Sequence, residues 1–303
     1  MPGTDHHRML HLSIPAVQPV SEIPRIIHQA YHTKALPSVI AANVQKILAQ
    51  NPGWEHRLYD DDDMAAFVES AYGQQISAFY SRINPKYGAA RADLFRYLIM
   101  YSRGGVYLDI KASLEKPLDD VLRPGDVYIL SRWRNRPGEA FEGWGKHRRL
   151  RHVGGDEFQQ WHIIAAPGHP FLMAVIECVI CNIQSYNPIL WGTGKTGVLR
   201  LTGPIPYTLA ITPLLQHHPH RMADATDDLG LTYSIFPVAE ARAHRRIFKH
   251  HYTDLTESVV QLDGIKRLAW QLFGPVQNQV LRRVRNVVQR AYWRLKVDRK
   301  PGD

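Results

Sequence analysis

The stretch Ala89-Ala-Arg91-Ala-Asp93-Leu-Phe-Arg96-Tyr-Leu-Ile-Met-Tyr101-Ser-Arg-Gly104-Gly105-Val-Tyr-Leu-Asp109-Ile-Lys111 decides how the chain is read. Residues 89–101 are good helix formers with no interior Gly or Pro. Gly104-Gly105 ends that helix, because Gly accepts the positive φ that a C-terminal cap requires. Val106–Lys111 then reads as a short strand, with Val106, Leu108 and Ile110 on one face and Tyr107, Asp109 and Lys111 on the other. A carboxylate at the carboxyl end of an apolar strand needs a reason, since burying an unpaired charge is costly. In open α/β sheets that end is where ligands sit. Asp93 and Arg96, three apart, share a helix face, and the Gly-Gly turn brings that face towards Asp109. The alternative is a purely structural salt bridge beside a helix cap.

Working outward, Ile23-Pro24-Arg25-Ile26-Ile27-His28-Gln29, Asn51-Pro52-Gly53-Trp54, Thr202-Gly203-Pro204 and a late His250-His251 follow in order. With Arg91-Ala-Asp93-Leu-Phe-Arg96-Tyr and Gly104-Gly105-Val-Tyr-Leu-Asp109, this combination resembles glycosyltransferase family 32 from Ile23 to His251. That family includes yeast-type α-mannosyltransferases and bacterial polysaccharide glycosyltransferases.

The resemblance implies a GT-A-like α/β fold with a mixed central sheet. It also implies transfer, with retention, from a nucleotide-sugar donor to a carbohydrate or lipid-linked acceptor, in bacterial polysaccharide or glycolipid synthesis. By resemblance, His28, Gln29 and Tyr31 hold the nucleotide. Asp93 takes donor hydroxyls, Arg96 and Lys111 the donor sugar or diphosphate, and Asp109 a metal or the ribose. Thr202 and Gly203, with Asp156 and Glu157, fall in the acceptor or phosphate region. A divalent metal, Mn²⁺ or Mg²⁺, is implied, with His250 or His251 completing its site.

One position departs from the family pattern. Its usual Asp-x-Asp is Asp109-Ile110-Lys111 here. A protonated lysine cannot ligate a hard cation. Either Asp109 holds the metal with other ligands and Lys111 points away, towards Glu115, or Lys111 meets the diphosphate directly.

Elsewhere the pattern predicts strands at Arg25–Gln29, Trp54–Tyr59, Asp126–Ser131, Trp161–Ala165 and Tyr233–Pro237, and helices at Val39–Ala49, Met64–Tyr72, Phe171–Ile183 and Ile205–Gln216. Asp60–Asp63 cap the helix that follows rather than bind metal. Arg132–His152 reads as a loop rich in Arg, Trp, Gly and His, either an active-site lid or a solvated insertion. Trp191-Gly-Thr-Gly-Lys195-Thr196 is no phosphate loop, because the required first Gly is Ile189.

The 303 residues, 45% hydrophobic, suffice for one large core. Cys178-x-x-Cys181 lies in an apolar helical run and is expected in the core. Residues 1–22 read as a flexible lead, 23–258 as the transferase domain and 259–303 as a basic tail. Between Gly264 and Asp303 ten Lys or Arg face two Asp, which accounts for nearly all of the net charge of +9. From Gly274 apolar residues recur at helical spacing, an amphipathic basic helix that either packs on the domain or lies on anionic membrane.

No signal peptide or spanning segment is read, and a cytoplasmic enzyme, peripheral on the inner membrane face, is expected. Two other classes are weighed: a donor-binding protein without catalysis, and a basic nucleic-acid-binding protein. No recognised nucleic-acid motif supports the second, so no nucleic-acid partner is expected.

Overall fold

A buried helix and a buried strand meet at Gly104-Gly105 in the computed structural model, which describes residues 13–236, 255–264, 267, 268, 270 and 272. The elements are β1 (Ile26–Ala30), α1 (Ser38–Gln50), β2 (Glu55–Tyr59), α2 (Asp61–Arg82), α3 (Gly88–Arg103), β3 (Gly105–Leu108), β4 (Ser113–Leu114) and α4 (Leu118–Val121). They continue as β5 (Tyr128–Leu130), β6 (His162–Ala165), α5 (Pro170–Ser185), α6 (Pro188–Trp191), α7 (Gly194–Leu201), α8 (Pro204–Ile211), β7 (Arg221–Met222) and β8 (Leu231–Thr232). His250, His251 and the expected helix from Gly274 lie outside the described residues.

Six strands form one mixed sheet in the order β2-β1-β3-β6-β5-β7, and β4 pairs with β8 apart from it. β1 runs parallel to β2 and β3, whereas β6 runs antiparallel to β3 and β5. Alternation along each strand fills two cores. Tyr107, Ile163, Tyr128 and Leu130 pack on the side of α2, α3, α5, α7 and α8. Val106, Leu108, Ile129 and Ile164 pack on the other, with Ile47, Leu118, Leu114 and Leu231. With both faces covered, β3 and β5 carry no charged side chain, and the polar residues of β1 and β6, His28, Gln29 and His162, are themselves buried.

The Gly-Gly turn is sterically required. Gly104 and Gly105 have φ of +62° and +102°. A Cβ on Gly104 would lie 2.6 Å from the Pro167 nitrogen, and one on Gly105 2.5 Å from the Ile26 carbonyl oxygen. No side chain fits in either place.

Several expectations change. β3 stops at Leu108, and Asp109 begins a turn in which the Ala112 N–H donates to the Asp109 carbonyl at 2.7 Å. α2 runs beyond Tyr72 to Arg82, interrupted where Gly73 adopts φ +72°. The expected helix through Gln216 ends at Ile211. Tyr233–Phe236 is no strand: the Ser234 hydroxyl accepts from the Phe236 N–H, and the Ile235 N–H donates to the Lys111 carbonyl. The lead is tied down from Ser13, with Ile14 and Val17 on the core and the Val17 N–H on the Tyr101 hydroxyl. Val259 and Val260 are fully buried, so the packing runs past the expected boundary at 258. Cys178 is half-buried and Cys181 exposed, not core.

Candidate active site

α3 is buried from Asp93 through Tyr101, so the two charged side chains of that run, Asp93 and Arg96, must find partners inside the protein. They find each other and the end of β3. Arg96 Nη2 lies 3.3 Å from Asp93 Oδ1 and 3.0 Å from Asp109 Oδ1. Its Nη1 donates to the Gln160 carbonyl at 2.7 Å, and the guanidinium lies 4.8 Å from the centre of the Tyr107 ring. Asp93 accepts from Thr202 Oγ1 at 2.9 Å and from Gln160 Nε2 at 3.1 Å. Tyr97 donates its hydroxyl within the same group, to Gln160 Oε1 or the Thr202 carbonyl.

Exposure separates the roles. The Asp93 and Arg96 side chains are 5% and 6% exposed, whereas Asp109 is 24% exposed and open to a ligand. Burial pushes the Asp93 carboxyl up, opposed by Arg96 and the bonds from Gln160 and Thr202. Burial alone would lower the Arg96 pKa, but Asp109, Tyr107 and Asp93 hold the guanidinium above its ordinary range. Arg96 is thus a permanently charged tie between two carboxylates.

Topology puts Asp109 where ligands bind. The chain leaves β1 for β2 on one side and returns to β3 on the other, a switch point of the kind at which open α/β sheets bind ligands in the crevice beyond the strands' carboxyl ends. Tyr31 follows β1 and Ile110 follows β3, and the two share an apolar cluster with Ile40 and Val44.

Beyond Asp109 lies an aromatic box. The Asp109 N–H donates to the Trp161 carbonyl at 2.8 Å. The Tyr233 ring lies 5.5 Å from Trp161, 5.1 Å from Trp133 and 5.8 Å from Trp144. Lys111 Nζ donates to the Tyr233 hydroxyl at 2.7 Å and sits 3.9 Å from its ring centre. Burial lowers the Lys111 pKa, with Asp109 opposing and Arg96 reinforcing that shift. Glu115, the expected partner, pairs with Lys46 instead. The loop expected as a lid or insertion packs on this box through Trp133, Phe141 and Trp144. Gly145 allows it, since a Cβ there would meet Trp133 at 2.4 Å.

The other residues named from sequence fall in different places. His28 and Gln29 are fully enclosed: the His28 ring is bonded to the Tyr59 hydroxyl and the Gly104 carbonyl, and burial drives its pKa down to about 4. Gln29 Oε1 pairs with His56. Neither side chain is open to a nucleotide. Thr202 joins the Asp93 cluster, while Gly203 starts α8 with its N–H on the Val198 carbonyl. Asp156 and Glu157 hold the loop: Asp156 accepts from Arg132 and Asn135, and Glu157 from Trp133 with His147 alongside. Sequence reasoning missed Gln160, Tyr97 and Tyr233, whose partners lie 63 to 122 residues away.

The described residues do not fit a divalent cation. Among them, no group of three or more His, Cys, Asp or Glu converges as a metal site. One Asp109 oxygen already faces Arg96. A divalent ion about 4 Å from a guanidinium meets repulsion on the order of 8 kcal/mol at an effective dielectric near 20. Lys111 adds a second cation beside the same carboxylate.

Residues 37–128 match the family model described as a glycosyltransferase sugar-binding region containing a DXD motif. The chain is 36% identical over 183 residues to mannosyl phosphorylinositol ceramide synthase SUR1 of Saccharomyces cerevisiae, spanning 60% of this chain and 40% of that protein. It is 26% identical over 211 residues to inositol phosphoceramide mannosyltransferase 1 of Schizosaccharomyces pombe, spanning 68% and 57%. The chain thus spans about half the length of these curated relatives. Among solved structures it is similar to PaToxG glycosyltransferase, with TM-score 0.46 and 16% identity over 81% of this chain and 83% of that one. The matched segment contains Asp93, Arg96, Asp109 and Lys111, so the residues that meet at the end of β3 fall inside the stretch that resembles a glycosyltransferase sugar-binding region.

Proposed function

We propose that this protein is a GT-A-like glycosyltransferase that moves a hexose, mannose in the nearest chemistry, from a nucleotide sugar to a carbohydrate or lipid-linked acceptor. The observation that carries the reading is the Asp93–Arg96–Asp109 chain of charges, ending on a partly exposed carboxylate in the crevice beyond β1 and β3. The names of the similar proteins favour mannosyl transfer to an inositol phosphate glycolipid.

In this reading Asp109 faces the donor, at a sugar or ribose hydroxyl. Asp93 and Arg96 hold it in place, and Thr202 and Gln160 hold them. The bond from the anomeric carbon to the diphosphate oxygen breaks, and its electron pair leaves with the nucleoside diphosphate. The acceptor hydroxyl oxygen bonds to the same carbon, and its proton passes to the departing diphosphate oxygen. Retention of configuration is part of the proposal, resting on the family resemblance. Negative charge grows on the departing diphosphate, and preorganised positive charge stabilises it more than water would.

The basic segment from Gly274 would bring the enzyme to anionic lipid, next to a lipid-linked acceptor. Incubating the full chain with GDP-mannose, UDP-glucose and UDP-galactose in turn, with a phosphoinositol glycolipid as acceptor, tests the reading. Lipid-bound label from one donor is the expected result. Binding of a donor without product would leave a nucleotide-sugar-binding protein.

A further inference from the structure

Arg96 and Lys111 both lie near Asp109, but their charges are disposed of differently. The guanidinium is spent on Asp93, Asp109 and the Gln160 carbonyl. Lys111 instead donates to a neutral phenol, Tyr233, and among the described residues no carboxylate comes within ion-pair distance of its ammonium. Its neighbouring carboxylate, Asp109, is already paired with Arg96, so this half-buried ammonium is poorly compensated, and the usual remedy is an anion supplied by a ligand. The protein holds it there deliberately. The Lys111 carbonyl accepts from the Ile235 N–H at 2.9 Å, and β4, two residues on, pairs with β8, two residues before Ile235's neighbour Ser234. Trp133, Trp161 and Trp144 wall in the Tyr233 ring.

We propose that Lys111, positioned by Tyr233, is the fixed cation that meets the diphosphate of the donor, so that donor binding needs no divalent metal. This rests on the donor-site reading above and deepens it. On that reading Asp109-Ile110-Lys111 occupies the place of the metal-binding motif. Its second carboxylate has been replaced by the charge that the metal would have brought. An ammonium suits the role as a compact, strongly hydrated point charge able to donate to phosphate oxygens from three hydrogens. The fork-shaped Arg96 is already committed. The bond to Tyr233 and the ring beneath the ammonium already fix the lysine, so little side-chain freedom is lost when the diphosphate arrives.

The test is calorimetry on the full chain with GDP, UDP and their monophosphates, in EDTA and again in Mn²⁺. One nucleoside diphosphate should bind in EDTA, with an affinity changed less than about threefold by Mn²⁺, well below the scale of one charge-assisted contact. Lys111→Ala should weaken it about 10-fold or more, and the monophosphate by less, the scale expected when one charge-assisted contact is lost. Tyr233→Phe keeps the ring and removes the hydroxyl. It should weaken the diphosphate selectively, which a merely structural role would not do. Lys111→Asp should lose binding in EDTA and regain it in Mn²⁺. Melting curves identify any variant that fails to fold, and Lys111→Arg serves as the conservative replacement in that case. Wild-type binding that appears only with Mn²⁺, or an unchanged affinity in folded Lys111→Ala, overturns the inference while leaving the donor site standing. If neither diphosphate binds under either condition, the donor-site reading falls and the inference with it.

Discussion

Arg96 lies 3.0 Å from Asp109 and 3.3 Å from Asp93, so one guanidinium joins the middle of a buried helix to the end of a buried strand. Lysine at position 96 would keep the charge but not the planar fork that reaches two carboxylates and the Gln160 carbonyl together. Arg96→Lys should lower kcat/KM about 100-fold, a loss similar to removing one preorganised contact. It should also destabilise the fold, read by thermal melting. Wild-type activity in this variant would show that the tie is not needed.

Asp109→Asn separates chemistry from folding. The amide oxygen still accepts from Arg96, which also keeps Asp93, so the variant should fold, at a cost of about 1–3 kcal/mol in stability. Turnover should nevertheless fall at least about 100-fold. A folded Asn variant with near-normal turnover would remove Asp109 from the site.

Thr202→Val tests the support behind Asp93. The substitution keeps the shape and deletes the hydroxyl that donates to a buried carboxylate at 2.9 Å. It should cost about 1–3 kcal/mol in urea unfolding, the scale for a buried charged acceptor left short of a donor. An unchanged unfolding midpoint would mean that water or Gln160 replaces the bond.

Acid should weaken the fold through its buried histidines. Burial lowers the pKa of His28 to about 4, His162 to about 3 and His169 to about 4. All three lie below the unfolded value near 6.5, so the unfolded chain takes up these protons first. Their stabilising effect is therefore full above about pH 6.5 and is lost as pH falls towards 4, by up to about 1.4 kcal/mol per pH unit for each. Urea unfolding at pH 7 and pH 5 measures the slope, and His162→Gln should flatten it. Equal stability at the two pH values would contradict this.

The basic tail makes a separate prediction. Each Lys or Arg near an anionic surface is worth about 1 kcal/mol, so removing residues 274–303 should abolish sedimentation with phosphatidylserine vesicles. Transfer to a soluble acceptor should persist. Vesicle binding by the truncated chain would place the membrane contact elsewhere.

Local chemistry was legible in the sequence, and long-range chemistry was not. Asp60 and Asp63 cap α2 reciprocally, as four acids before a helix imply. Asp93 and Arg96 meet Asp109 because an i,i+3 pair and a two-glycine turn leave few other arrangements. The Cys178-x-x-Cys181 run misled because α5 is apolar almost all round, yet it buries only the stripe of Phe171, Leu172, Val175, Ile176, Val179, Ile180 and Ile183. Tyr233 looked like a strand because Tyr-Ser-Ile-Phe has strand composition. Its role comes from a lysine 122 residues earlier, a pairing that no periodicity encodes. His28 and Gln29 were read as ligand groups from their place in a motif, but β1 lies between β2 and β3, where both are enclosed.

The most direct measurement is release of nucleoside diphosphate from each nucleotide sugar by the wild-type chain, with Asp109→Asn as the control. One donor should be consumed in preference to the others, should raise the melting temperature by mass action, and should be spared by the folded Asn variant. A wild-type chain that neither consumes nor is stabilised by any donor, while fully folded, would contradict the assignment of this crevice as a sugar-transfer site.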